Sequence, residues 1–267
     1  MRLAEELEDP YYLYSIGLVL LSICVYVYIN IYPEFAMNVS AILYPAIAAI
    51  PVVVYLVSIR KVSFSWEDKF SVMIVFQWIG SIIWFVGEII WCWYYNLYYG
   101  LGNPYPSIAD IFYVGAYFPV IMGLAIYIIY LYRTIKLELT RTQLLAGISS
   151  AIGAGVIVGA IYWIMTIASY AGEIIPLDEF ILNILYVLLD AVLLVVIVFG
   201  FIVIRGKMGR ILLLFLVSCL LIIVYDVSFA YLEAYGLYYD GHPVELLDLI
   251  SYIVDALAFY EVAKLVK

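Results

Sequence analysis

Eight long apolar runs divide this chain, and they constrain its fold more than any other feature. Each is about 20 residues or longer, the length that an α-helix needs to cross a hydrocarbon core of roughly 30 Å. The runs cover 11–31, 37–58, 70–96, 108–132, 143–170, 179–204, 211–235 and 244–263. Because the segments between them are too short to fold alone, we predict a single all-α domain over residues 1–267. This domain is an integral membrane bundle of eight transmembrane helices.

The composition excludes an ordinary soluble domain. Hydrophobic residues make up 68% of the chain and charged residues 12%, whereas soluble domains are about half apolar and a quarter charged. The net charge of −9 argues against nucleic acid as a partner, so the lipid bilayer is the partner that the composition implies. Cys24, Cys92 and Cys219 lie singly in three different runs, which favours neither a disulfide nor a zinc site. We therefore predict no cofactor, no metal and no catalytic residue.

The positions of the basic residues predict the orientation. All 12 Lys and Arg side chains lie before run 1, between runs 2 and 3, 4 and 5, or 6 and 7, or near the C-terminus. The four alternate turns contain none. The positive-inside rule assigns the basic face to the cytoplasm. We therefore expect a multi-pass protein of the cell membrane with both termini cytoplasmic.

Two stretches of the chain resemble each other in layout. Glu88 and Asp110 are 22 residues apart, as are Asp226 and Asp248, and each pair encloses a turn rich in Tyr and Gly. The Ile-Leu-Tyr triplets that end at Tyr44 and at Tyr186 recur at a similar offset. These matches favour a 4+4 parallel internal repeat, with halves 1–138 and 139–267. Identity elsewhere between the halves is poor, so a chain without duplication stays the other interpretation.

Acidic side chains inside the apolar runs are the candidate functional residues, because an ionisable group in a bilayer is costly and has no basic partner in these runs. The candidates for ligand or proton binding are Glu88, Asp110, Asp226, Asp248, Asp190, Asp255 and Glu233. Glu88 and Asp226 lie well inside their runs, roughly 12 Å from the end. We expect acids from separate helices to share one cavity near the outer surface.

Some of these acids also have a structural interpretation. Ser107-Ile108-Ala109-Asp110 has the form of a capping box, as do Ser65–Asp68 and Thr140–Gln143. Asp190 and Asp255 could instead bond to a tyrosine such as Tyr186 or Tyr252. The tyrosines of the outer turns fit either an interfacial aromatic belt or the wall of a pocket. His242, the only histidine, is expected to be a solvated turn residue.

Small residues recur at four-residue intervals in run 5, at Gly147, Ala151, Gly155 and Gly159. Such a stripe lets two helix backbones approach closely in lipid. We expect it to pack within the bundle, and a homodimer through this face is the alternative.

The segment Pro106-Ser107-x-x-Asp110-x-x-Tyr113 resembles a motif of multi-pass membrane sensory regions. Those regions precede the output domains of bacterial diguanylate cyclases, cyclic-di-GMP phosphodiesterases and histidine kinases, and the close match covers about 15 residues. In this sequence no output domain follows the eighth run, after which Lys267 is the last residue. The resemblance therefore implies a stand-alone sensory module that signals through a separate cytoplasmic partner.

Three functions remain open at this point. The first is a sensory or signalling module whose acidic, Tyr-lined cavity faces outward and responds to protons, cations or a small ligand. The second is a proton- or cation-coupled transporter that uses the same carboxylates. The third, an intramembrane hydrolase, is least favoured, because no phosphate-binding loop or nucleophile motif is present and the aspartates do not match the order of known intramembrane proteases.

Overall fold

The computed structural model describes residues 9–60, 64–99, 105–135, 140–170, 176–204 and 207–265. These residues form eight α-helices and no strand. In chain order the helices are α1 (Pro10–Ile31), α2 (Ala36–Ile59), α3 (Lys69–Ile89), α4 (Ile108–Ile135), α5 (Arg141–Tyr170), α6 (Leu177–Val203), α7 (Lys207–Ala234) and α8 (Glu245–Leu265). The prediction of an all-α fold with one helix for each apolar run is confirmed.

Seven of the described helices, α1 to α7, are long and apolar enough to cross a membrane. The chain is therefore a multi-pass membrane protein. The last helix, α8, is different, because five of its side chains are charged: Glu245, Asp248, Asp255, Glu261 and Lys264. Its acids near the start are buried in protein, with Glu245 2% and Asp248 4% exposed. The prediction of eight spanning helices is thus supported for seven of them, and the first-turn acids of the polar eighth helix are enclosed by protein.

Six of the described helices pack as a closed ring in the order α2, α3, α4, α6, α7 and α8, which returns to α2. The remaining two lie outside this ring, α1 mainly against α8 and α5 mainly against α6. The centre of the ring is apolar in one half, where Tyr55, Met73, Leu124, Ile197 and Phe259 are buried together. Most acids of the ring lie in the other half, whereas Gln77, Ser218 and Asp255 lie beside these apolar side chains.

The helix starts confirm one predicted cap and correct another. At α5, the Thr140 amide donates to Gln143 Oε1 at 2.9 Å and the Gln143 amide donates to Thr140 Oγ1 at 3.3 Å, as a capping box requires. At α3, Asp68 itself is the N-cap and accepts from the Phe70 and Ser71 amides. The prediction that Ser65 caps this helix is wrong, because the carboxylate directly before the helix satisfies its free amides.

The stripe of small residues on α5 does not pack within the bundle. No atom in the described part of the chain lies within 4 Å of a Cβ built on Gly147, Gly155 or Gly159, outside their own helix backbone. The expectation of close packing inside the bundle is therefore wrong at these three positions. The side chain of Ala151 lies outside the described residues. The homodimer through this stripe stays a prediction.

Candidate functional site

A cavity of about 80 Å³ lies at the centre of the ring of helices. It is in the half toward the turns that contain no Lys or Arg, which we name the cation-free end. Among the described residues that line it, six are acids and none is Lys, Arg or His. The acids are Glu88, Asp110, Asp226, Asp240, Glu245 and Asp248. Four predicted site residues, Glu88, Asp110, Asp226 and Asp248, therefore share one cavity.

Glu88 and Asp248 meet on the hydroxyl of Tyr252. The Tyr252 hydroxyl is 2.6 Å from Glu88 Oε1 and 3.0 Å from Asp248 Oδ2, and it accepts the indole N–H of Trp84 at 2.7 Å. A phenol has one proton to donate. It can therefore bond to both acids only when one carboxyl is protonated and donates to the phenol oxygen. This arrangement is suited to hold one proton between α3 and α8.

Asp190 and Asp226 form a second acidic pair, between α6 and α7. Tyr117 donates to Asp190 Oδ1 at 2.6 Å, whereas Asp190 Oδ2 and Asp226 Oδ2 are buried and have no donor among the described residues. The two carboxyls are close enough to hydrogen-bond directly. Two carboxylates both accept, so this contact is attractive only when a proton lies between them. The predicted partner Tyr186 is wrong for Asp190, because Tyr186 extends across to α4.

Asp110 is the cap that its sequence indicated. Its Oδ2 accepts from the Ser107 amide at 2.6 Å and from the Ser107 hydroxyl at 3.0 Å. Its Oδ1 accepts from the Tyr186 hydroxyl at 2.7 Å. With three donors, Asp110 fixes the start of α4 and ties it to α6. It lines the cavity but has little capacity left for a ligand.

Glu245, which sequence analysis did not single out, has three hydrogen-bond donors, as many as Asp110. It accepts from the Tyr26 hydroxyl at 2.5 Å, from the Tyr238 hydroxyl at 2.8 Å and from the Gly241 amide at 2.9 Å. Burial, together with the adjacent Glu245 carboxylate, raises the pKa of Tyr238 well above its ordinary value, so this phenol keeps its proton to donate. A glutamate in the first turn after a Gly-His-Pro segment was the available signal, since acids favour helix N-termini.

Asp255 and Glu233 do not line this cavity. Asp255 lines a second cavity of about 80 Å³ that lies deeper in the bundle, beside Ser218. The predicted bond between Tyr252 and Asp255 is therefore replaced by the bonds of Tyr252 to Glu88 and Asp248. Glu233 lies near the cation-free end, close to Glu179 of α6. Although Glu233 follows Asp226 by seven residues on the same helix, it lies outside the cavity.

A π-helix places two residues of the wall. Residues Ile90–Tyr99 continue α3 as a π-helix, from which Trp91 and Cys92 line the cavity. The wider turn shifts these side chains relative to an α-helix, and such segments are common at functional sites. One turn earlier, Gly87 admits the Tyr113 ring, since a Cβ at Gly87 would be 2.7 Å from Tyr113 Cε1. Nothing in the apolar pattern of run 3 predicted the change of helix type.

The tyrosines of the cation-free end divide between the two predicted roles. Tyr105 and Tyr238 line the cavity, whereas Tyr98 is 77% exposed and Tyr239 is 49% exposed, as in an aromatic belt. His242 is half-buried rather than solvated. Its Nδ1 accepts the Val244 amide at 3.1 Å, and burial lowers its pKa, which favours the neutral ring that this bond requires.

The searches against protein-family models, curated proteins and solved structures find no match to this chain. The fold and the cavity therefore define its class by themselves. It is an all-α multi-pass membrane protein with an acidic, aromatic-lined cavity inside its helix ring. No group of three His, Cys, Asp or Glu side chains in the described part of the chain has the arrangement of a metal site.

Proposed function

We propose that this protein is a sensory module of the cell membrane whose acidic, Tyr-lined cavity responds to protonation. The observation that carries this proposal is the junction of Glu88, Tyr252 and Asp248, where three oxygen atoms from two helices compete for too few protons. The number of protons decides whether the contact attracts or repels. A change in proton activity is therefore translated directly into a change in helix packing.

The two acidic pairs connect four helices of the ring, so a change in their protonation would affect packing across the bundle. Glu88 and Asp248 join α3 to α8, and Asp190 and Asp226 join α6 to α7. Loss of the shared proton at either pair brings like charges together in a medium of low dielectric constant, which favours separation of the helices. Two packings of the ring would then differ in population, and a partner at the opposite end can read the difference.

We infer that the cation-free end, and with it the cavity, faces the cell exterior. The absence of Lys and Arg from the turns of this end supports the assignment, since cytoplasmic turns carry an excess of both. Both termini then lie in the cytoplasm, where a separate signalling partner would bind. The resemblance to bacterial sensory regions agrees with this interpretation, because Asp110 and Tyr113 of that motif line the cavity.

The 4+4 parallel repeat is supported by the order of the ring. Each half contributes its second, third and fourth helices in the same sequence, α2–α3–α4 and α6–α7–α8. Tyr44 of α2 donates to the Glu245 carbonyl at the start of α8, and Tyr186 of α6 donates to Asp110 at the start of α4. The tyrosines that end the two Ile-Leu-Tyr triplets thus each bond to the start of a neighbouring helix of the ring.

The test is a pH titration of the protein in nanodiscs, followed by tryptophan fluorescence, since Trp84 and Trp91 line the cavity. Between about pH 4 and about pH 9 we expect a reversible transition, and Glu88→Gln should shift or remove it because the amide cannot change charge. Glu34→Gln, which alters an acid of the α1–α2 turn, is the matched control. A titration without a transition, or one that Glu88→Gln leaves unchanged, would contradict the proposal.

A proton-coupled transporter is the second candidate, and the deeper cavity favours it. Trp84 and Tyr252, which bond to each other, line that cavity together with Asp255, and Trp84 also lines the first cavity. A proton held at Glu88 is thus separated from Asp255 by one hydrogen-bonded pair of rings. Proteoliposomes loaded with a pH-sensitive dye distinguish the functions. Proton flux that Asp255→Asn abolishes indicates transport, and no flux with an intact pH transition indicates sensing.

A further inference from the structure

We propose that a groove at the basic end of the bundle binds an anionic phospholipid, with an acyl chain between three helices and the phosphate at Arg210. The basic end is the one opposite the cation-free end, and it carries the Lys and Arg residues. This inference goes beyond the function proposed for the cavity and does not depend on it. It follows from the position of the groove, from its charge and from the depth of its apolar wall.

The groove lies where the peripheral helix α5 meets α6 and α7. It has a volume of about 610 Å³ and is open to the surface. Its walls are the first two turns of α5 and α7 and the end of α6. Because α5 packs mainly against α6, a space remains between α5 and α7. The apolar part of the wall consists chiefly of Ala146, Phe201, Ile202 and Leu213.

The charge around the groove selects an anion. Arg210 is the one charged side chain among the described residues that line it. Residues 139–172 and 191–225, which supply all three walls, contain no acid and four cations: Arg141, Arg205, Lys207 and Arg210. Elsewhere at the basic end, Lys264 pairs with two acids. Basic pockets between membrane helices are typical sites for anionic lipid headgroups.

Two polar side chains of the groove suit a phosphate group. The guanidinium of Arg210 carries several N–H donors in a planar fork that matches phosphate geometry. Thr142 is exposed and lines the same groove from α5, so its hydroxyl can donate as well. The remaining polar side chain, Gln143, is occupied, because it donates to the Ile202 carbonyl at 3.1 Å and accepts from the Thr140 amide. Gln143 thus joins α5 to α6 at the groove.

The depth of the apolar wall identifies the bilayer as the source of the ligand. Ala146, Phe201, Ile202 and Leu213 belong to segments that are long and apolar enough to cross a membrane. Phe201 is 45% exposed and Leu213 is 46% exposed, so apolar surface is available beside the groove. A peptide at this depth would have to satisfy its backbone hydrogen bonds in lipid. An acyl chain has no such groups, which favours a lipid over a peptide.

Native mass spectrometry tests the inference, because it counts the lipids that each protein molecule retains. The protein is released from nanodiscs that contain equal amounts of phosphatidylglycerol and phosphatidylcholine with the same acyl chains. These two lipids differ in net charge. We expect phosphatidylglycerol to be retained about fivefold more often, which is the ratio expected for one basic side chain near an anionic lipid.

Variants of the basic residues connect the preference to the groove. Arg210→Gln should reduce it to near-equal retention of the two lipids, because the positive charge is lost. Arg210→Lys keeps the charge and should keep most of the preference. Arg60→Gln is the matched control, since it removes a cation from the same end of the bundle but outside the groove, and it should change nothing.

Ala146→Phe tests the apolar part of the site. Ala146 is exposed on the wall, so the added ring would occupy the groove without entering the ring of helices. We expect this variant to lose the retained phosphatidylglycerol. Ala160→Phe, at an exposed position of the same helix outside the groove, should keep it. Ala146→Phe also tests the site if Arg210→Gln does not fold.

Four outcomes would overturn the inference. The first two are equal retention of both lipids by the wild type and a preference that Arg210→Gln leaves unchanged. The third is displacement of the lipid by excess glycerol 1-phosphate, which would assign the site to a soluble anion. The fourth is loss of a dimer in Ala146→Phe with lipid retention unchanged, which would assign the groove to a second copy of the chain.

Discussion

At the scale of single residues, some buried acids stabilise the fold and others can titrate or bind. Burial alone does not distinguish the two kinds, and the number of hydrogen-bond donors is needed as well. Glu245 is 2% exposed and Glu88 is 3% exposed, so burial alone does not tell them apart. The number of donors does. Glu245 has three donors, none of which it shares with another acid, whereas Glu88 shares the Tyr252 hydroxyl with Asp248 and accepts the weaker Cys92 thiol at 3.9 Å.

Glu245→Gln tests this distinction. The amide would direct an NH₂ group toward phenol or backbone donors and leave at least one of them without an acceptor. We expect the free energy of unfolding to fall by about 1–3 kcal/mol, measured by denaturant titration in detergent. Glu34→Gln, which lies in an exposed turn, should change it by less than about 0.5 kcal/mol. Equal stability of both variants would show that the hydrogen bonds of Glu245 contribute little.

At the scale of helices, the glycines of this chain have two different roles that sequence alone does not distinguish. Gly87 of α3 lies against the ring of Tyr113. The close approach of α4 is therefore possible only because Gly87 has no side chain. The glycines of α5 meet no other helix in the described part of the chain. Spacing of small residues at four-residue intervals predicted the second group, whereas glycines outside that stripe, such as Gly80, Gly87 and Gly123, are the ones that lie at packed interfaces.

Gly87→Ala and Gly155→Ala form a matched pair. At Gly87 the added methyl group would displace Tyr113, which packs against Trp84, and overpacking of this kind costs about 1–3 kcal/mol. At Gly155 there is open space, so alanine should leave the stability of the monomer unchanged or raise it by up to about 1 kcal/mol through helix propensity. Thermal denaturation of both variants measures the difference, and a larger loss at Gly155 would contradict the packing of these two helices.

At the scale of the whole molecule, the two ends of the chain are joined at the end opposite the cavity. Asp9, before α1, accepts from Lys264 of α8 at 2.5 Å and from the Tyr260 hydroxyl at 3.1 Å, and Tyr11 stacks on Tyr260 at 3.9 Å. Tyr12 donates to Glu261 at 3.2 Å. These contacts hold the peripheral helix α1 against the ring.

The pH dependence of this junction can be predicted. Burial raises the pKa of Asp9, but the bonds from Lys264, the Tyr11 amide and Tyr260 outweigh it, so the net pKa lies below the ordinary value of 3.8. The stabilisation is fully present above that value and is lost as the pH falls through the lower pKa of the folded state.

We therefore expect wild type to be more stable than Asp9→Asn at about pH 6, by about 0.5–1 kcal/mol for a partly exposed ion pair. The two proteins should converge as the pH approaches about 2. The measurement is the difference in Tm between them, in which the titration of the other acids cancels. A difference that is constant with pH would show that the Asp9 charge is not responsible.

The sequence alone determined the class of this protein and most of its site residues. Eight apolar runs in 267 residues indicate a bundle of membrane helices, because a backbone in lipid is stable only when its hydrogen bonds are made within the protein. Acids in those runs identified Glu88, Asp226 and Asp248, because an unpaired charge there is costly. These inferences needed only local composition and spacing.

The tertiary structure decided which of these acids meet and through which atoms. The bonds of Tyr252 to Glu88 and Asp248, the contact between Asp190 and Asp226, and the role of Glu245 all depend on side chains brought together from different helices. The order of helices in the ring and the change to a π-helix after Ile89 set these contacts. Neither leaves a clear signal in hydrophobic periodicity, since apolar residues occupy the outward faces of these helices and most of their inward positions as well.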